Sequence, residues 1–121
     1  FINKIRLVNK KNKKFYIEGS GQEIRSFIHI EDFARAFKVI FEKGSHLNIY
    51  NIGTQEKIKI VDLAKLISKI VQKPIKIYKK PLKKGGTKIR VPDIKKIKNL
   101  GFKPEINIEE GLRKVLFYKS N

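Results

Sequence analysis

The sequence contains no cysteine, which excludes both a disulfide framework and a thiolate metal site. It contains no methionine either, position 1 included. A chain that starts at Phe1 is therefore expected to be a processed product or a piece of something longer. No apolar run approaches the ~20 residues that a membrane-spanning helix needs. The opening FINKIRLVNKK lacks a long apolar core and a cleavage site, so no signal peptide is read there and a cytoplasmic protein is the default. Acidic residues are scarce: 11 Asp and Glu stand against 29 Lys and Arg, for a net charge of +18. Arginine is scarce as well, with five among those 29.

That last scarcity works against nucleic acid as the partner. Base-edge readout favours arginine, and single-strand binding favours aromatic rings spread along a basic face. Here the lysines fall in separate stretches (residues 10–14, 79–84 and 95–98), and lysine is enriched together with Ile and Asn, as AT-rich coding DNA would produce. A small basic nucleic-acid-binding module stays open as an alternative, as does an inactive remnant or accessory chain. With 121 residues and 40% hydrophobic content, the chain suits one modest globular domain with a real core.

The most informative stretch is RSFIHIEDFARAF, residues 25–37, with its lead-in EGSGQEI. The run over residues 27–30 reads as a short strand, after which Asp32 offers an N-cap oxygen. Phe33, Ala36, Phe37, Ile40 and Phe41 then share one face of a helix. Arg25 stands where the loop enters the strand, a natural place for a guanidinium to meet an anion. His29 reads as a hydrogen-bonded structural group, and Glu31 and Asp32 as charges suited to a helix N-terminus.

The remaining elements follow in order. Residues 1–10 read as an amphipathic helix tail, and 15–17 as a short strand. Gly19-Ser20-Gly21 reads as a tight turn rather than a phosphate loop, because it feeds a strand instead of a helix N-terminus. Residues 47–52 read as a second strand, with Asn51 near its end as either a ligand-side residue or a turn stabiliser. Residues 60–71 form the clearest helix, with Ile60, Leu63, Ala64, Ile67, Ile70 and Val71 in one stripe but only Lys59 as its cap. A third strand is expected over 75–78. Asp93 is expected to cap a short helix over 94–100 that Gly101 ends. Asn107 with Glu110 forms a capping-box pattern for a last helix over 108–118. Alternating helices and strands imply an α/β fold. No cluster has metal-ligand spacing, and no Ser/His/Asp set suggests itself.

The stretch EGSGQEIRSFIHIEDFARAF resembles the segment that opens the second half of the extended short-chain dehydrogenase/reductases, the NAD-dependent nucleotide-sugar epimerases, dehydratases and decarboxylases. YNIGTQEKIKIVDLAKLI, GGTKIRVPDIKKIKNLGFKP and INIEEGLRK continue the likeness in the same order, over essentially the whole chain. The resemblance implies that residues 1–121 form the C-terminal, substrate-binding portion of such an enzyme. Residues 27–53 would return to complete a Rossmann-like sheet whose NAD-binding half is absent from this sequence. The family's Tyr-x-x-x-Lys base pair has no match: Ser20, Thr54 and Leu82 stand four residues after Tyr16, Tyr50 and Tyr78. No catalytic residue and no NAD loop is therefore expected in this chain.

By the same resemblance, Arg25, Arg90 and Asn51 would contact the diphosphate of a sugar nucleotide. The alternatives are a surface ion pair with Glu23 or Glu31 for Arg25, and a solvated loop position for Arg90. Tyr16, Ile17 and Glu18 occupy the strand that would meet the base. UDP is favoured, but many relatives carry an aromatic against the uracil ring where Glu18 stands, and this departure leaves dTDP, CDP and GDP sugars open. The full-length form would be a homodimer with NAD as cofactor.

Overall fold

The computed structural model describes residues 14–82 and 84–118. The helix tail expected over residues 1–10 lies outside the described residues. Strand β1 (Phe15–Glu18) alternates cleanly, Phe15 and Ile17 inward and Tyr16 and Glu18 outward. It pairs in parallel with β4 (Ile77–Lys80), Phe15 opposite Ile77 and Tyr16 opposite Tyr78. A parallel pair needs a long crossover. This one contains helix α2 (Ile60–Val71), which lays Leu63, Ala64 and Ile67 onto Phe15 and Ile17. Ile58, Ile75, Ile77, Leu112 and Leu116 complete this first core.

The stripe read from the sequence is the one that α2 buries. Its poor cap is also real, since Lys59 makes no side-chain cap bond. Tertiary carbonyls serve instead: Ile60 N–H donates to Glu23 O at 3.0 Å and Val61 N–H to Gly21 O at 2.9 Å. Two of the orphan donors of the first turn are thereby satisfied.

A second sheet runs in the order β3 (Ile58–Lys59), β2 (Ile24–Arg25), β5 (Ile89–Arg90). β2 is antiparallel to β3 and parallel to β5. A second core lies under helix α1 (Ile30–Lys43), where Ala36 meets Ile94, Ile97 and Phe102. Ile97 belongs to the short helix α3 (Lys95–Asn99). Asp93 Oδ1 accepts from Lys95 N–H, and Gly101 follows at φ +98°, the left-handed ending that its position called for. Helix α4 (Ile108–Leu116) starts as its capping pattern implied, with Asn107 Oδ1 accepting from Glu110 N–H at 2.9 Å, and stops at Leu116.

Four expectations are corrected. The strand expected over 27–30 is displaced to β2, and residues 26–29 are irregular. Side chains tie this segment in place of a ladder: Ser26 Oγ donates to Thr54 O at 2.6 Å, and Thr54 Oγ1 to Phe27 O at 3.3 Å. Residues 47–52 form no strand either. Leu47 has φ +57°, and Leu47 and Ile49 are 90% and 81% exposed. Apolar composition announces a strand, but a strand exists only where a partner's backbone groups line up. No described segment supplies them here.

The third correction concerns α1. Ala36 is buried and Ile40 is partly buried, whereas Phe33, Phe37 and Phe41 are exposed. The helix is apolar on two sides, and spacing alone does not say which side meets the core. The fourth concerns its cap. His29 takes that role, its Nδ1 accepting from Glu31 N–H at 3.3 Å, in keeping with the structural reading of this histidine. Asp32 lies inside the first turn, fully buried, where it accepts from Ile106 N–H at 2.9 Å and Glu105 N–H at 3.1 Å and pairs with Arg35. It joins α1 to the turn that precedes α4.

Candidate functional site

Arg25 and Arg90 are direct partners in the parallel pairing of β2 with β5. Paired residues in a parallel ladder project to the same face, so the two arginine side chains leave the sheet on one side. Arg25 is half-buried and Arg90 exposed. The Arg25 guanidinium donates from Nη1 to Ile24 O at 2.8 Å and from Nη2 to Thr87 O at 2.9 Å. Those acceptors are neutral carbonyls. They orient the fork without cancelling its charge.

Carboxylates do not cancel it either. Of the two acids that could have paired with Arg25, Glu31 is engaged by Lys114 at 2.9 Å. Glu23 is turned into the preceding loop, accepting from Ser20 N–H, Ser20 Oγ–H and Gly21 N–H. Among the described residues, no ion pair joins a carboxylate to Arg25 or Arg90. Like charges directly opposite one another in a ladder repel. An anion with two negative oxygens over this face would relieve the repulsion and match both forks.

Asn51 is not joined to this pair. Its amide donates to Asp93 O at 3.1 Å, at a depression of about 240 Å³ lined by Ile49, Asp93, Lys95 and Lys96. Nearby, a Cβ on Gly53 would sit 2.4 Å from Pro92 Cγ, so glycine permits the close approach of the two loops. Of the residues expected at the base, Tyr16 and Glu18 share the outer face of β1. The Tyr16 ring lies 5.4 Å from that of Tyr78, with the Lys80 ammonium 4.6 Å above it. The Ile17 side chain is 2% exposed and belongs to the core, so this residue offers a base only its backbone.

Three groups were not legible as part of this region. Glu23 is buried, and hydrogen bonds from its own and the Ser20 backbone N–H hold its pKa below the usual glutamate value. Thr54, also buried, accepts the Ser26 hydroxyl just after Arg25. Asp32 supports the helix that follows. The E-D-x-x-R spacing signals the Asp32–Arg35 pair, but nothing local signals the amides of Glu105 and Ile106. Among the described residues, no group of His, Cys, Asp and Glu could hold a metal ion, and no helix is long and apolar enough to cross a membrane.

Comparison with known proteins places these observations. The family model for GDP-mannose 4,6 dehydratase matches residues 1–115. A trifunctional UDP-glucose 4,6-dehydratase/3,5-epimerase/reductase of Arabidopsis thaliana is 34% identical over 123 residues, 99% of this chain and 18% of that protein. The structure of UDP-glucose 4-epimerase from Thermotoga maritima, solved with UDP-glucose, superposes with a TM-score of 0.86 at 28% identity, covering 95% of this chain and 37% of that one. The structure of dTDP-glucose 4,6-dehydratase from Bacillus anthracis, solved with NAD, gives 0.85 at 24% identity over 95% of this chain and 37% of that one, and shows the shared fold. The chain thus spans less than two fifths of each of these three proteins. It belongs to the GDP-mannose 4,6 dehydratase family, within the extended short-chain dehydrogenase/reductases that comprise the NAD-dependent nucleotide-sugar epimerases and dehydratases.

Proposed function

We propose that this chain is the substrate-binding portion of an NAD-dependent nucleotide-sugar epimerase, 4,6-dehydratase or decarboxylase, and that Arg25 and Arg90 grip the diphosphate. The observation that carries this reading is the in-register arginine pair, which no carboxylate of the described residues engages. A diphosphate with ~two charges at neutral pH suits two bidentate forks on one face. Asn51 would approach the same ligand from the loop before Gly53. Tyr16 and Glu18 would flank the base on the outer face of β1. UDP is favoured, in line with the UDP-glucose bound to the epimerase of similar fold.

The described residues do not fit NAD. The Gly19–Ser20–Gly21 loop, their one Gly-x-Gly turn, has its donors filled by the Glu23 carboxylate and leads into a strand. The cofactor would be held by a dinucleotide-binding half outside this sequence. That half would cover residues 27–53, where Ile30, Phe33, Phe37, Phe41, Leu47 and Ile49 are exposed. So much exposed apolar side chain on one segment supports a covering partner. The full-length enzyme would be a homodimer, as the family resemblance implies.

The test is calorimetric titration of the chain with UDP. Arg25→Ala is expected to weaken binding by more than about 1.5 kcal/mol, the loss of a charge-assisted bond. Unchanged affinity would overturn the assignment. Salt-sensitive binding of random oligonucleotides with no response to UDP would favour the basic-module alternative instead.

A further inference from the structure

We propose that Glu23 is a positioning residue for Arg25: its carboxylate fills the concave turn at residues 19–21 and thereby sets the backbone from which Arg25 projects. This rests on the reading of Arg25 as a diphosphate contact. Gly19 and Gly21 adopt φ of +86° and +85°, which curls the turn so that successive backbone N–H groups point inward. Such a nest suits an anion. Here the anion is internal: Glu23 Oε1 accepts from Ser20 N–H at 3.0 Å and Ser20 Oγ–H at 3.1 Å, and Oε2 from Gly21 N–H at 2.8 Å. The fit is close, since a Cβ on Gly19 would lie 2.3 Å from Glu23 Oε1.

The main chain of the same turn is docked on α2, through Glu23 O to Ile60 N–H and Gly21 O to Val61 N–H. One residue later, Ile24 N–H donates to Lys88 O at 2.8 Å and opens the ladder that brings Arg25 beside Arg90. Arg25 is therefore fixed from both directions, by the filled turn before it and by β5 beside it. Glu23 does this without an ion pair to Arg25. Removal of its carboxylate strands three donors and loosens the turn, and the guanidinium loses its register with Arg90.

A double-mutant cycle on UDP affinity, read by calorimetry on the chain, separates this role from a general loss of stability. Glu23→Ala is expected to weaken UDP binding about tenfold in the wild-type background and less than about twofold in the Arg25→Ala background. Its effect on the melting temperature should be the same in both. Glu23→Gln, which keeps one acceptor oxygen, should fall between wild type and Glu23→Ala, and it carries the same cycle should Glu23→Ala fail to fold. Equal weakening in both backgrounds, or no weakening, would overturn the role of Glu23. Failure of the wild-type chain to bind UDP, or indifference to Arg25→Ala, would overturn the diphosphate reading and this proposal with it.

Discussion

Replacement of Asp32 is the most demanding test of how the fold is joined. Its side chain is fully buried and bridges α1 to the turn before α4. Asp32→Ala leaves the buried Ile106 N–H and the partly buried Glu105 N–H without an acceptor, at about 1–3 kcal/mol each. Arg35 loses one carboxylate and keeps another, Glu105, at 3.0 Å. That retained partner keeps the total near the range for a broken buried pair, about 3–5 kcal/mol. A domain of this size has a total stability of about 5–15 kcal/mol, so the loss would be a large share. With a urea slope of roughly 2 kcal/mol/M, the unfolding midpoint should fall by about 2 M. Asp32→Asn should cost less than Asp32→Ala, because its one carbonyl oxygen can still accept from Ile106 N–H and Glu105 N–H, while its NH2 group would face the Arg35 guanidinium. Urea titration followed by circular dichroism gives the measurement. A fall of less than about 0.5 M with an unchanged slope would refute the argument, showing that water or a rearranged backbone serves these amides equally well.

Asn107→Ala should lower stability by about 1 kcal/mol, read from the same titration, because Glu110 N–H loses its cap. The Glu31–Lys114 pair should leave a pH signature. The hydrogen bond from Lys114 lowers the Glu31 pKa, and the bond to Glu31 raises that of Lys114. Glu31 thus contributes stability that is present above the unfolded glutamate value and lost as pH falls through its lowered folded value. Lys114 contributes stability that is present below the unfolded lysine value and lost as pH rises through its raised folded value. The stability difference between wild type and Glu31→Gln should therefore shrink at both ends of the pH range, and a difference constant with pH would contradict the pairing.

How much could be read in advance divides along one physical line. Elements that carry their own determinants were legible. The α2 stripe at helical spacing is the stripe that is buried, and Asn107 with Glu110 caps α4 as its side-chain chemistry requires. The Gly19–Gly21 turn was read as a turn, and its filled nest explains why. Features that depend on a distant partner were not legible. Asp32 looks like a cap in its local sequence, and only the approach of residues 105 and 106 makes it a bridge. Residues 47–52 have strand composition, yet no described segment forms a backbone ladder with them. The second apolar side of α1 repeats the same lesson, because Phe33, Phe37 and Phe41 have helical spacing and no described core to enter. In the candidate site, Arg25 was singled out by its place at a strand entry, and Arg90 by resemblance. Their adjacency is a fact of register, which no local pattern contains.

The central claim is that these two arginines act together on a diphosphate. Side-chain Nε–H resonances of Arg25 and Arg90, followed by ¹⁵N NMR while UDP is titrated into the chain, test it most directly. The account predicts that both resonances shift along a single binding curve, and that both ³¹P resonances of UDP move with them. Saturation of the UDP signals with neither arginine perturbed would contradict it.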